Sequence, residues 1–301
     1  MKLKDLPWFP VFGPLGLEHR GIIEEYFRGR RAEASELNFT EMFMWRKIRN
    51  TSICRIGESM VIKAEKDGRL FFYYPPLGID AAAVVEKLLE TDDSAAVYGL
   101  TAEEAGVLGL PAEKYSIEAD RKNFDYVYPA DGLRVLAGRK YDGKRNHLKK
   151  FEVLNYSFEA INGDNIREAV AFQEKWCADR LCDDDMSLQD ESSAICELLG
   201  NFEELSAFGA LLRVEGVVQG YTVADRLNED TAVVMVEKAN PGIRGIYQGL
   251  NRGFVEKFLG GFRFINREQD NGNEGLRKAK MSYHPVKFVE KTVIKRRGAR
   301  P

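Results

Sequence analysis

Residues Phe208 to Lys238 read FGALLRVEGVVQGYTVADRLNEDTAVVMVEK. Three strands are legible in this stretch, Phe208–Val214, Val217–Asp225 and Thr231–Lys238. Glu215-Gly216 and Asn228-Glu229-Asp230 between them are residues that suit tight turns, so the strands are expected to run antiparallel. The last run, TAVVMVEK, has the Val and Thr density of a central strand. Asn240-Pro241-Gly242 closes it and opens a helix whose apolar residues Ile246, Leu250, Phe254 and Phe258 recur at helical spacing, with Gly260-Gly261 as its stop.

The flanks extend the pattern. Upstream, Asn155–Ile161 alternates as a strand does. A helix then runs through Ile166, Val170, Phe172 and Trp176, is broken by Asp183-Asp184-Asp185, and is followed by a second helix around Ile195, Leu198 and Leu199. Downstream come a short strand Phe262–Asn266, a short helix Gly275–Lys280 and a final strand Val286–Ile294. The first half repeats most of this order, with helices around Ile22–Phe27 and Glu41–Ile48 and strands at Ser52–Ile56, Met60–Ala64 and Arg69–Tyr74. Asp67-Gly68 is a strong hairpin signal. Asp80 caps a helix through Val84, Val85 and Leu88. A strand at Ala95–Tyr98, a capping box at Thr101 and Glu104, and a strand starting at Tyr115–Ile117 complete the half. Asp125 to Phe151 reads as two helices joined at Gly138. The expected organisation is therefore mixed α/β, with a first domain over 1–128, a helical connector over 129–154 and a second domain over 155–301.

Composition is compatible with two cores. The chain has 301 residues, more than one core usually serves. Hydrophobic residues make up 44% and charged residues 30%, ordinary for a globular protein. A net charge of −3 gives no global field that would draw in nucleic acid or an anionic membrane, so such a partner would need a local basic patch. The opening MKLKDLPWFPVFGPLG does not read as a secretory signal, and no apolar run approaches the ~20 residues that cross a bilayer. A cytoplasmic protein without integral membrane association is expected. Its cysteines, Cys54, Cys177, Cys182 and Cys196, are expected to be thiols, and their spacing makes a poor metal site. There is no HExxH, GxSxG, Walker loop or Rossmann fingerprint. Asp183-Asp184-Asp185 reads as a helix-breaking loop before a divalent-ion site.

The order of strand, two helices, three antiparallel strands, helix, strand, helix, strand resembles the GNAT acyltransferase fold. Several segments also resemble a family of bacterial proteins grouped with the C-terminal catalytic domain of phosphatidylglycerol lysyltransferase. They are Asp125-Tyr126-Val127-Tyr128, Gly138-Arg139-Lys140-Tyr141 through Lys144-Arg145-Asn146-His147, Glu237-Lys238-Ala239, Asn266-Arg267-Glu268-Gln269-Asp270, Glu274 through Lys280, and Ser282-Tyr283-His284-Pro285. The resemblance implies two GNAT-like halves in tandem and kinship with Fem-type aminoacyltransferases. It implies acyl or aminoacyl transfer to an amine or hydroxyl, on a small molecule or peptide. No permanently bound cofactor is implied, and acyl-CoA or aminoacyl-tRNA would be the co-substrate. The rival reading is a GNAT-fold binding module for a small molecule, peptide or RNA that has lost the chemistry.

By element order, Glu237 ends the fourth strand of the second half and Tyr283 follows its last short helix. In GNAT enzymes these places often carry the base and the acid, so the resemblance makes Glu237 and Tyr283 the candidate catalytic pair. Alternatively, Glu237 is bonded to a neighbouring Lys or Arg, and Tyr283 is a packed aromatic with a satisfied hydroxyl. Lys238, Asn266, Arg267, Glu268, Asp270, Arg277 and Lys280 are candidate substrate-binding residues, since mixed charges at a strand exit can hold an amine and a carboxylate. They equally suit an internal ion network pinning the last helix. Lys144, Arg145, His147 and Arg244 are candidates for phosphate or tRNA contact, the first two within a basic cluster from Arg134 to Lys150; a second cluster lies at Lys295, Arg296, Arg297 and Arg300. A basic run is also often only a solvated helix face. The glycines of Asn240–Gly249 depart from the GNAT pyrophosphate loop, and Tyr247 stands where a small residue is expected; Pro75-Pro76-Leu77-Gly78 in the first half suits that role still less.

Overall fold

A computed structural model of the chain describes residues 2–29, 32–73, 80–182 and 185–298. Tyr74, Pro75–Gly78, Asp183, Asp184 and Arg300, named above, lie outside the described residues. The chain forms two compact units, Met1–Asp125 with Val289–Pro301, and Tyr126–Phe288.

In the first unit, β1 (Gly13–Pro14), α1 (Arg20–Arg28) and α2 (Phe39–Met44) precede β2 (Ser52–Ile56), β3 (Ser59–Lys66) and β4 (Arg69–Tyr73). Asp67 and Gly68 both adopt positive φ, the backbone a two-residue hairpin needs, and they pin Lys66 opposite Arg69. Then follow α3 (Ala81–Leu89), β5 (Ala96–Thr101), α4 (Ala102–Val107) and β6 (Tyr115–Ala119). Thr101 and Glu104 close the expected capping box on α4. β4 and β5 run parallel. The slot between β5 and β6 is filled by residues Lys291–Arg296, antiparallel to both.

The second unit starts with β7 (Asp125–Pro129), followed by α5 (Ala130–Val135), α6 (Asp142–Phe151), β8 (Tyr156–Ala160), α7 (Ile166–Arg180), α8 (Met186–Gly200) and α9 (Phe202–Leu205). Asp185 caps α8 by accepting from the Ser187 amide at 2.9 Å, so this residue of the acidic stretch starts a helix. The three strands read from sequence are β9 (Phe208–Val214), β10 (Val217–Arg226) and β11 (Thr231–Ala239). α10 (Ile246–Phe258), β12 (Phe264–Asn266), α11 (Glu274–Met281) and β13 (Lys287–Val289) complete the unit, and Lys291–Arg296 is then β14. The sheet order is β13-β7-β12-β11-β10-β9-β8, with β11 and β12 parallel. Ile246, Leu250, Phe254 and Val255 of α10 pack against Ala232, Val234 and Ala239 of β11 in the core of this unit.

The two sheets have one plan: four antiparallel strands, a parallel step, then two more strands. The fold is two GNAT-like halves in tandem, as the element order implied. Several details differ from the sequence reading. Asp125–Pro129 is a strand rather than part of a helix, because its tyrosines at 126 and 128 turn inward to the core of the second unit. The connector is not separate: α5 and α6 pack their apolar residues into that same core. The expected strand Val286–Ile294 divides at Glu290, its first part joining the second sheet and its continuation the first. Cys177 and Cys182 are not thiols but a disulfide; Leu181 takes a left-handed conformation that ends α7 and brings their Cα atoms to 5.2 Å.

Candidate functional site

β11 and β12 pair over only three residues, Thr231–Val233 against Phe264–Asn266. Beyond Val233, β11 continues to Ala239 without β12, and the chain after Asn266 turns away. The two strands therefore part, and a cavity of about 390 Å³ opens there. A register shift between β10 and β11 leaves Met235 as the extra residue. This bulge reverses the alternation of β11. Met235 and Glu237 consequently face the cavity, and Val236 and Lys238 point to the opposite face.

The walls bring four ionisable groups together. Glu237 accepts from Arg267 Nη2 through Oε2, and from Asn251 Nδ2 at 3.1 Å through Oε1. Arg267 lies beside a pair of rings, its guanidinium carbon 5.0 Å from the centroid of Tyr283 and 5.9 Å from that of Tyr128. Its Nε and Nη1 are buried with no hydrogen-bond partner among the described residues. Burial opposes its charge and Glu237 favours it, and the balance holds the guanidinium more firmly protonated than usual. Tyr283 is 6% exposed, packs edge-on to Tyr128, and among the described residues its hydroxyl makes no hydrogen bond. Burial pushes that hydroxyl up to about 12, only partly offset by Arg267. Lys144 reaches in from α6, its Nζ 4.1 Å from the Tyr283 ring centroid, and burial together with the Arg267 charge brings its ammonium down to about 8.

Glu268 and Lys280 also line the cavity. Lys280 donates to the carbonyls of Arg267 and of Gln269, the latter at 2.6 Å, and so fixes the loop that carries Arg267. The other candidates lie elsewhere. Lys238 pairs with Glu191 at 2.7 Å and covers the Trp176 ring at 4.0 Å. Asn266 is buried and accepts from the Glu268 amide at 2.8 Å. Asp270 is fully buried, receives two hydrogen bonds from Arg277 at 2.9 Å and one from Tyr126 at 2.6 Å, and these hold its carboxyl well below the usual range against the opposing effect of burial. Asp270 and Arg277 are thus the ion network pinning α11, as the alternative reading had it. Arg145 bonds the carbonyls of Leu136 and Gly138 and the carboxylate of Asp142. His147 and Arg244 are exposed and off the cavity walls.

Sequence reasoning missed Glu191, Met235, Gln248, Gln269 and Asn271 on the walls, and Asn251 behind Glu237. Only Asn251 left a signal, a polar residue one position past Leu250 on an otherwise apolar helix stripe. The glycines at the start of α10 have a packing role. Gly245 has φ +85°, and a side chain there would strike the His147 carbonyl at 2.2 Å; at Gly249 it would strike the Phe151 ring at 2.3 Å. The helix is drawn tight against α6 by these two positions. Among the described residues no group of three His, Cys, Asp or Glu is placed to hold a metal ion, and no helix is long and apolar enough to cross a membrane.

The charged cavity thus opens where β11 and β12 part, in a fold of two GNAT-like halves in tandem. Residues 27–295 match the family described as phosphatidylglycerol lysyltransferase, C-terminal, and the chain belongs to that family. A conserved protein of unknown function from Bacteroides thetaiotaomicron VPI-5482 is 31% identical, with a TM-score of 0.87 over 94% of this chain and 98% of that one. The C-terminal domain of a putative lysylphosphatidylglycerol synthetase from Agrobacterium fabrum is 14% identical, with a TM-score of 0.65 over 94% and 93% of the two chains. FemX is 9% identical, with a TM-score of 0.56 over 94% and 96%. The last two likenesses are of fold. No curated protein matches the chain.

Proposed function

We propose that the second unit transfers an aminoacyl group from the ester of a charged tRNA to an amine or hydroxyl acceptor. The observation that carries this reading is the convergence of Lys144, Glu237, Arg267 and Tyr283 on one cavity of about 390 Å³. Attack on an ester carbonyl builds negative charge on its oxygen, and donors already in position lower that barrier. Tyr283, its hydroxyl kept protonated by burial, is such a donor, and Arg267 is a fixed positive charge beside it. Glu237 is a carboxylate on the wall that can anchor the ammonium of the aminoacyl group or of an amine acceptor.

The family description, with its lysyl group, supports an aminoacyl donor. The start of α10 supports it against a CoA ester. A pyrophosphate cradle uses glycines so that phosphate can approach the backbone, whereas at Gly245 the place a side chain would take is filled by the His147 carbonyl, so this glycine serves the packing of α10 on α6. Engagement of both Glu237 oxygens favours the second reading, a binding module without chemistry.

Thermal shift and transfer assays with bulk aminoacyl-tRNA, uncharged tRNA and acetyl-CoA separate these readings. The expected result is stabilisation by charged tRNA, with release of its aminoacyl group, and no response to acetyl-CoA. Tyr283→Phe removes a hydroxyl that has no partner among the described residues, so it should leave Tm within about 2 °C and cut transfer by roughly 10–100-fold. Binding without transfer by the wild type would leave the binding module standing; a response to acetyl-CoA alone would replace the donor.

A further inference from the structure

The cations around the cavity differ in how they are held. Arg267 is paired with Glu237, and Lys280 donates to two carbonyls. Lys144, in the first turn of α6, has among the described residues no carboxylate, carbonyl or hydroxyl partner; the Tyr283 ring is its contact. An ammonium with a second cation close by and little water favours losing its proton. Burial first, and the Arg267 charge second, bring Lys144 down to about 8, so an appreciable part of the molecules carry a free amine there near neutral pH. Lys144 lines the cavity. Glu237, by contrast, already has a donor on each oxygen.

We propose that Lys144 Nζ, rather than Glu237, accepts the proton of the attacking nucleophile in the transfer described above, so that the inference rests on that reading of the cavity. The acceptor N–H or O–H attacks the ester carbonyl carbon, a C–N or C–O bond forms, and its proton passes to Nζ. The carbonyl oxygen carries the negative charge of the tetrahedral intermediate beside Tyr283 and Arg267. Collapse breaks the ester C–O bond, and the Lys144 ammonium returns the proton to the leaving ribose oxygen. Lys144 ends as it began, and no co-reactant is consumed.

The titratable groups that share the cavity with Lys144 are Glu191 from α8, Glu237 from β11, Tyr247 from α10, Arg267 and Glu268 after β12, and Lys280 and Tyr283 at α11 and its end. A pH profile must therefore be tied to Lys144 itself. Competitive labelling of the intact wild-type protein with acetic anhydride, read by peptide mass spectrometry, titrates each lysine separately. Lys144 should show a midpoint near 8, well below the value of about 10.4 of an unperturbed lysine side chain. A Lys144 midpoint near 10 overturns the proposal. Transfer from bulk aminoacyl-tRNA is then compared for wild type, Lys144→Arg and Lys144→Met. Wild-type rate should rise between about pH 7 and 9, and both variants should lose roughly 100-fold or more at every pH. Retained rate in Lys144→Arg, which keeps the charge and cannot take a proton, would show a purely electrostatic role and overturn it as well. Absence of wild-type transfer would remove the transferase reading and the proton acceptor with it, even beside a labelling midpoint near 8, so the two failures are told apart. Labelling needs no variant, and a variant that does not fold leaves the proposal open to refutation.

Discussion

Beside the end of β4 in the first unit, Glu36, Glu41, Arg49 and Tyr73 surround a space of about 10 Å³, room for roughly one water. At the corresponding place in the second unit, where β11 leaves β12, the space is about 390 Å³. Both places follow a parallel pair of strands in sheets of the same plan. The difference lies in how charge is compensated. In the first unit, Lys291 is held between Asp125 at 2.6 Å and Glu36 at 2.5 Å, and Ser35 donates twice to Asp125. Burial disfavours the Lys291 charge, but these two carboxylates outweigh it and raise its ammonium above the ordinary value. In the second unit Lys144 and two nitrogens of Arg267 lack such partners among the described residues. Charges that answer one another inside a protein hold it together; charges left facing a cavity are available to a ligand.

The largest test of that contrast is Lys291→Met. It leaves the buried Asp125 and the half-buried Glu36 without their cation and should cost about 3–5 kcal/mol in chemical denaturation. Transfer per folded molecule should not change. A loss of transfer beyond the loss of folded protein would mean that the first unit takes part in the chemistry.

Asp270→Asn tests whether the second unit also contains self-compensated charge. At pH 7 it should cost about 2–3 kcal/mol, moderated because Arg277 is partly exposed. Asp270 titrates lower in the folded than in the unfolded protein. Its stabilisation is therefore fully present above the unfolded value of about 3.9 and is lost as pH falls toward the folded value. The gap between wild type and variant in urea melts should shrink on acidification below about pH 4; a gap constant with pH would assign the effect to packing.

Glu41→Gln should act in the other direction. Burial, opposed by Arg49, lifts Glu41 to about 7, so ionising it works against the fold. The penalty is absent below the unfolded value, grows between about pH 4.5 and 7, and is constant above. The variant should gain about 1–3 kcal/mol at pH 8 and nothing at pH 4. A loss of stability at pH 8 would show that the ionised carboxylate supports the cluster.

Much of the architecture could be read from local pattern. The three strands from Phe208 to Ala239, the Asp67-Gly68 hairpin and the Thr101 capping box are set by neighbours in sequence, and all are present. Glu237 and Tyr283 were reached by counting elements, and they do line one cavity. Lys238 was misplaced because a bulge at Met235 changes which residues of β11 share a face, and no periodicity announces a bulge. Asp270 and Arg277 look like site residues in a polar segment; only the fold reveals that Tyr126, 144 residues earlier, completes their network. Asp125–Pro129 was read as helix because the helical residues after it dominate a local window, whereas its strand partner is β12.

The sixth place in each sheet is taken by a strand that follows the other sheet's last strand: β7 comes after β6 and joins the second sheet, and β14 comes after β13 and joins the first. This exchange orders events during synthesis. Every strand of the second sheet lies between residues 125 and 289, so that sheet has all its strands before Lys291–Arg296 is made. The first sheet, although its other strands emerged long before, still has an open slot between β5 and β6 until Lys291–Arg296 arrives. The half of the protein made first is therefore the half completed last.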